Sequence, residues 1–315
     1  MTTLLDVPGS NPPNPFSTPI QAILTSFSLS SASAPAPAPD ETIEHLINIV
    51  TTSPDPATAL WELWDAFFTA VVTSSASHVP HLAFLDAMRA QSPTQPNNVA
   101  PGSEAEGYLH SYIQADGKLH WPMLPRFRAQ WCDVHGILEA WRDWDGVRTA
   151  GEGNNSTSSS PICNPAKYYL RICDFSIALL NATNGKGAVR PVWVFYACHN
   201  VLERKGPLSD GPRAHRMSPE QVWALDVRVA ATWVRNGSRI LWAMDQDELW
   251  RNNSAALEYK TELWPKEDGL TRERWQLWEE RLRALSTDAD LDEETRAVAG
   301  QAAEVIAELL GLSLT

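Results

Sequence analysis

Residues 218–245, SPEQVWALDVRVAATWVRNGSRILWAMD, show most clearly what kind of fold this chain adopts. Apolar residues recur in this stretch at the three- and four-residue spacing of an amphipathic helix. Ser218 suits the N-cap, Pro219 the first helical position and Gln221 the third, so the start of the helix is well specified. We expect the helix to break near Asn236-Gly237 and to resume as SRILWAMD.

The rest of the chain has the same helical pattern. In LWELWDAFFTAVV (60–72), Trp64, Phe68 and Val72 continue an apolar stripe that begins at Trp61, and Ser53-Pro54 is expected to start this helix. Residues 166–183 and 191–204 are apolar enough for central helices. Two later helices are expected to be capped by Thr271 and Asp290. The sequence therefore predicts an all-α fold, a single irregular bundle of about ten helices.

The Pro-, Ser- and Ala-rich residues 1–40 predict a disordered, flexible N-terminal tail. One apolar stretch within it, Ile20 to Leu29, is expected to dock on the body. Residues 41–315 are expected to form a single all-α domain. Polar, Gly- and Pro-containing loops are predicted near 91–107 and 149–161, and neither clearly separates two cores.

Composition excludes several classes of function. The net charge of −13 argues against nucleic acid and anionic membranes, because both require a basic face. No apolar run reaches the roughly 18 residues of a membrane span. The start of the chain does not resemble a secretory signal, and the four cysteines show no CxxC pair, which suits a reducing compartment. We expect a cytoplasmic protein.

The usual catalytic motifs are missing from the sequence, including phosphate-binding loops, the dinucleotide fingerprint, HExxH and GxSxG. The acids of MDQDELW (Asp245, Asp247, Glu248) do not complete the clusters that hold magnesium in terpene cyclases. His78 and His81 lack a third ligand and are interpreted as solvated or capping residues. The sequence therefore predicts no metal and no cofactor.

The 14 tryptophans stand out against 8 Phe and 6 Tyr. Indole rings can fill helix–helix interfaces, or they can form the rigid apolar wall of a ligand pocket. Several polar residues interrupt apolar helices near these tryptophans, among them Asp65, His135, Asp174 and His199. Buried polar groups must be paired or face a wet pocket. Helix-bridging networks and a lined pocket both remain open.

Three segments carry a family resemblance: LWELWDAFFTAVV, WPMLPRFRAQW (121–131) and VRVAATWVRNGSRILW (227–242). They resemble the DUF3632 type, a fungal family of helical proteins of unknown function. In that family an Ala-Ala-x-Trp stretch is followed, after two to three residues, by a glycine and then an aromatic residue; here these correspond to Ala230, Ala231, Trp233, Gly237 and Trp242. The resemblance spans roughly residues 45–265 and implies an all-α fold and a fungal, cytosolic setting. It implies no activity by itself.

The resulting hypothesis is a cofactor-independent cyclase of the Diels–Alder type, or an isomerase, acting on an apolar terpenoid or polyketide in fungal secondary metabolism. Such a reaction needs a cavity that holds a reactive conformer and a donor that polarises a carbonyl. The predicted substrate-binding walls are Trp64, Trp131, Trp193, Trp233 and Trp242, and the predicted catalytic donors are Tyr196, His199, Arg235 and Arg239. The alternatives are a module that binds a partner helix and a carrier of a lipophilic metabolite. A homodimer is an open expectation.

Overall fold

The computed structural model describes residues 14–30, 40–75, 77–145, 165–207, 216–258, 260–267 and 269–312. These residues form twelve α-helices, one 3₁₀ turn and no strand, which confirms the all-α prediction. The helices are α1 (Ser17–Ser30), α2 (Asp40–Thr52), α3 (Pro56–Thr73), α4 (Val79–Arg89), α5 (Glu104–Leu109), α6 (Phe127–Trp141), α7 (Pro165–Ala182), α8 (Val192–Val201), α9 (Pro219–Ala243), α10 (Gln246–Leu257), α11 (Arg272–Ser286) and α12 (Glu293–Leu312); the 3₁₀ turn is Trp121–Met123.

By their internal contacts, the described residues form two compact units, 14–140 and 141–312. In the first unit, α3 packs against α1, α2 and α5. Its core is aromatic: Phe67 stacks on Phe84 at a centroid distance of 5.1 Å, and Trp64 meets Phe127 edge-on at 5.1 Å. Edge-on and offset pairs add to the stabilisation from buried area.

The apolar stretch of the N-terminal region forms α1, which packs on α3 and α4. Phe16, Ile20, Ile23 and Leu24 are buried there. The expected docking of this stretch is therefore confirmed. Residues 1–13 and 31–39 of the predicted tail, and the loop predicted near 149–161, lie outside the described residues. The loop predicted over 91–107 is irregular as far as Ser103, after which α5 begins.

The second unit is organised around α9, which contacts α7, α8 and α12, while α11 packs on α12. The predicted break at Asn236-Gly237 is wrong, because α9 runs without interruption from Pro219 to Ala243. Gly237 is buried, and a Cβ on it would lie 2.8 Å from Val194 Cγ2 and 3.3 Å from Leu180 Cδ2. The glycine therefore permits close packing of α9 on its neighbours instead of ending the helix.

The helix starts follow local capping chemistry. Ser218 and Gln221 form the predicted capping box, and Thr271 caps α11 as expected. Two other predictions were displaced by two residues. Asp55 rather than Ser53 caps α3, and the carboxylate of Asp292, not Asp290, accepts from the first turn of α12, at 2.9 Å from Thr295 N.

A fully buried ion pair ties four segments of the second unit together. Arg274 Nε and Nη2 donate to the two carboxylate oxygens of Glu203 at 2.6 and 2.9 Å. Trp278 Nε1 and Thr261 Oγ1 donate to the same carboxylate at 2.9 and 2.8 Å. Arg274 Nη1 reaches the carbonyl oxygen of Leu257. Both charges are thereby saturated with partners, which is the condition for burying them without a large penalty.

No helix in the described part of the chain is both long and apolar enough to cross a membrane.

Candidate functional site: a cleft in the first unit

A cleft of about 480 Å³ opens on the surface of the first unit. Two segments line it. One contributes Ser111, Tyr112 and Gln114; the other contributes His120, Met123–Arg126, Arg128, Ala129 and Cys132. The second segment contains WPMLPRFRAQW, one of the three stretches that carried the family resemblance. The volume suits a ligand of small to moderate size.

The cleft is shaped by an unusual backbone corner between the 3₁₀ turn and α6. Leu124 and Arg126, on either side of Pro125, have φ angles of +48° and +65°. Residues with side chains seldom adopt this left-handed conformation, which costs on the order of 1–3 kcal/mol and persists where the surroundings enforce it. Here the core enforces it: Trp64 Nε1 donates to the carbonyl oxygen of Pro125 at 2.7 Å.

The turn before this corner is anchored separately. Trp121 is fully buried, and its Nε1 donates to Thr94 Oγ1 at 2.8 Å. Thr94 and Leu119 exchange two backbone hydrogen bonds of 3.1 and 2.8 Å. The corner itself and the turn before it are thus attached to the core, so the residues that the corner presents are held in a defined position.

The corner presents Arg126 beside Tyr112. Arg126 Nη1 donates to Tyr112 Oη, and the guanidinium carbon lies 5.5 Å from the centroid of that ring. Both contacts are made with Tyr112, whose hydroxyl and ring carry no carboxylate, so they do not supply Arg126 with an anionic partner. Its Nε is buried and has no hydrogen-bond partner among the described residues. The bond to Tyr112 uses one of the five N–H donors of the guanidinium, so donors remain for a further acceptor.

The charges around the cleft are mostly positive, although the chain as a whole is acidic. Arg126 and Arg128 both line it, and none of the described lining residues is acidic. His120, also in the lining, bonds Asp116 at 3.0 Å, and this hydrogen bond lowers the pKa of the aspartate. Cys132 lies at the edge, where partial burial raises the pKa of its thiol. The apolar wall consists of Met123, Leu124 and Pro125.

Comparison with known proteins gives one match. The family model described as a protein of unknown function (DUF3632) matches residues 64–282 of the 315. The chain belongs to the DUF3632 family. No curated protein and no solved structure matches it. The matched region begins at Trp64 and includes the whole cleft.

The stretch that identified this DUF3632 member is a packing motif in the structure. Ala230, Ala231 and Trp233 are buried on α9, and Gly237 lies against α7 and α8. Trp242 meets Trp275 edge-on with 5.2 Å between ring centroids. Small residues at these positions let neighbouring helices approach α9 closely. The motif therefore contributes to the packing of the second unit around α9.

The predicted tryptophan walls of this DUF3632 chain lie in different units. Trp64 and Trp131 belong to the first unit, and Trp193, Trp233 and Trp242 to the second. Trp64, Trp131 and Trp233 are at most 2% exposed and fill core positions. None of the five lines the cleft. Trp64 nevertheless contributes to it through its hydrogen bond to Pro125.

The predicted donors lie in the second unit. Arg235 Nη1 donates to Gln301 Oε1 at 2.9 Å, and Arg239 pairs with Glu308, so both connect α9 to α12. Tyr196 and His199 lie half-buried on α8. Burial lowers the pKa of His199, which favours its neutral form. Their assignment as catalytic donors remains a prediction.

Several polar side chains are buried in the first unit. The interpretation of His78 and His81 as solvated is wrong: both are buried, with ring centroids 5.2 Å apart, and His81 also contacts Phe67. His78 occupies the N-cap position of α4 but makes no capping bond with its side chain. His135 lies beside Trp131, and burial lowers its pKa to about 4.

The sequence did not predict the cleft, because two of its residues adopt left-handed backbone conformations without being glycine or asparagine. The signal that could have revealed it is the pair Pro122 and Pro125. Two prolines so close together prevent a regular helix, and Arg126 and Arg128 follow directly. Cationic residues beside an irregular, buried turn are a reasonable indication of a binding site.

Proposed function

We propose that the protein binds an apolar small molecule with a carbonyl group in the cleft of the first unit, and catalyses its cyclisation or isomerisation without a cofactor. The observation that carries this proposal is the pairing of Arg126 with Tyr112 beside an apolar wall. The wall accommodates a hydrocarbon frame, and the guanidinium and phenol are hydrogen-bond donors for its carbonyl oxygen.

The reaction class matches what these side chains supply. In an intramolecular Diels–Alder reaction, three π bonds of one substrate become one π bond and two σ bonds. No atom enters or leaves, and no oxidant, reductant or metal is needed. A donor to a conjugated carbonyl draws electron density from the reacting double bond and lowers the barrier. An open cleft is compatible with this chemistry because no strongly basic intermediate has to be protected from water.

The held corner supports the same proposal. A catalytic donor is most effective when its position is fixed before the substrate arrives, because little reorganisation is then needed. Trp64 fixes the corner and Trp121 the turn before it. The proposed substrates are terpenoid or polyketide intermediates of fungal secondary metabolism. The proposal includes a cytoplasmic location and a homodimer, which cell fractionation and sedimentation would test.

Turnover of a panel of linear polyene carbonyl compounds, measured by chromatography and mass spectrometry, tests the proposal. Tyr112→Phe and Arg126→Gln are each expected to lower the rate about tenfold or more, as loss of a preorganised donor commonly does. Arg89→Gln is the matched control: Arg89 is an arginine of the same unit, outside the cleft and paired with Asp86.

Four further variants compare this site with the donors predicted from the sequence: Tyr196→Phe, His199→Ala, Arg235→Gln and Arg239→Gln. They are expected to retain turnover. Loss of turnover in this group, with the cleft variants unaffected, would place the chemistry in the second unit. Tight binding without any product would favour the carrier. A protein that binds a partner helix but no small molecule would favour the interaction module.

A further inference from the structure

The geometry points to a carboxylate on the ligand, held by Arg126 and Arg128 at the N-terminus of α6. This inference rests on the proposed function and specifies its substrate class further: an apolar compound that carries a carboxylate. Three independent features of the cleft lead to it. They are the few hydrogen-bond partners of the Arg126 guanidinium, the positive charge of the lining residues, and the N-terminus of α6.

The first feature is a guanidinium with few partners. Arg126 donates to Tyr112, a neutral acceptor, while its Nε is buried without a hydrogen-bond partner among the described residues. Three arginines of the second unit, Arg142, Arg216 and Arg274, instead bond a carboxylate. A planar guanidinium matches a carboxylate with two parallel hydrogen bonds. Arg126 therefore has the capacity for an anionic partner that these arginines have already filled.

The second feature is the sign of the local charge. The chain has a net charge of −13, with 38 acidic residues against 25 Lys and Arg. Nevertheless, two arginines line this cleft, and no described lining residue is acidic. An anion entering the cleft therefore meets cationic groups on a surface that would otherwise repel it.

The third feature is the start of α6, a helix of 15 residues. The first regular hydrogen bond here runs from Gln130 N to Arg126 O, at 3.0 Å. The amide groups of Arg128 and Ala129 precede that bond, and both residues line the cleft. The first turn contains no acidic residue. A helix N-terminus carries partial positive charge, and it adds here to the two guanidinium groups.

The experiment compares acids with their primary amides, which have nearly the same shape but no charge. Three pairs cover the relevant frames: 1-naphthoate and 1-naphthamide, geranate and geranamide, decanoate and decanamide. Dissociation constants of the full chain are measured by calorimetry. In at least one pair, the acid is expected to bind about tenfold or more tightly than the amide, as charge-assisted hydrogen bonds imply.

Variants assign this preference to the cleft. Arg126→Gln is expected to remove the preference for the acid while leaving amide binding within about twofold. Arg126→Lys should retain part of it, because the charge remains but the paired geometry is lost. Arg89→Gln should leave every value unchanged. The thermal unfolding temperature of each variant, compared with that of the unmodified chain, checks that the fold is intact.

The outcomes separate this inference from the function on which it rests. If acid and amide bind with equal affinity, and Arg126→Gln changes neither dissociation constant, the inferred carboxylate recognition is overturned. A small-molecule site would still remain. Failure of all six compounds to bind would contradict the proposed function itself. Binding of inorganic phosphate as tightly as the best acid would show a simple anion site and overturn the requirement for an apolar frame.

Discussion

The indole Nε1 of Trp64 donates a buried hydrogen bond to the carbonyl oxygen of Pro125 at 2.7 Å. This contact joins the middle of α3 to a backbone corner 61 residues later in the chain. It connects a core tryptophan to the position of Arg126, the residue that follows Pro125. Trp64, which was predicted as a pocket wall, therefore does not line the cleft but holds the backbone corner that does.

Trp64→Phe should destabilise the protein by about 2–4 kcal/mol, because it leaves the Pro125 carbonyl without its donor and removes part of a buried ring. It should also weaken ligand binding at the cleft, since the left-handed conformation of Arg126 loses its restraint. Chemical denaturation measures the first effect and calorimetry the second.

Trp233→Phe provides the comparison for that substitution. It removes a similar volume from the buried face of α9 and touches no part of the corner. A comparable loss of stability with unchanged ligand affinity is expected. If both variants weakened binding equally, the Trp64–Pro125 bond would have no special role at the cleft.

Gly237→Ala should destabilise the second unit by about 1–2 kcal/mol. An alanine in a helix is usually more favourable than glycine, by about 1 kcal/mol. Here the added Cβ would meet Val194 Cγ2 at 2.8 Å, and such overpacking costs about 1–3 kcal/mol. Val194→Ala in the same chain should restore part of the loss. Thermal or urea unfolding gives these differences.

Gly136→Ala is the matched control on α6, where an added Cβ would meet nothing within 4 Å. It should raise the free energy of unfolding by about 0.5–1 kcal/mol. Stabilisation by both alanines would contradict close packing at Gly237.

Arg274→Met should cost about 3–5 kcal/mol of stability, because it leaves the carboxylate of Glu203 buried without its counter-charge. The double variant Glu203→Leu/Arg274→Met should lose less than Arg274→Met alone, since no uncompensated charge remains. A double-mutant cycle by denaturant unfolding measures the coupling. Strictly additive losses would show that the two groups do not act as a pair.

Acidification should destabilise the protein through His135, whose pKa is lowered to about 4 by burial. The unfolded histidine titrates near 6.5, so the unfolded state binds the proton first. The contribution of His135 is therefore complete above pH 6.5 and is lost as the pH falls toward 4, by about 3 kcal/mol in all. His135→Gln should flatten the dependence of unfolding free energy on pH in that range. An unchanged slope would show that His135 does not titrate as inferred.

The helical architecture could be predicted because it depends on local patterns. Ser218 and Thr271 cap the helices that their positions indicated, and the apolar spacing around Trp64 marked the buried face of α3. The prediction at Gly237 was wrong because a glycine can either end a helix or admit a close neighbour, and only the positions of Val194 and Leu180 decide between the two.

The cleft could not be predicted in the same way. Its corner depends on left-handed conformations at Leu124 and Arg126, which are enforced by distant residues and leave no periodic signal. The tryptophan excess was a better guide to packing than to a site, since Trp64, Trp131 and Trp233 are buried. Of the polar residues within apolar helices, Arg239 pairs with Glu308 across two helices, and His135 is buried beside Trp131.

Photo-crosslinking tests the position of the site most directly. An aryl enone carrying a diazirine group is irradiated with the full chain, with and without excess unlabelled enone, and the labelled peptides are located by mass spectrometry. We predict label within residues 111–132, suppressed by the competitor and reduced in Arg126→Gln. Competitor-sensitive label confined to residues 193–242, with none at the cleft, would contradict the account.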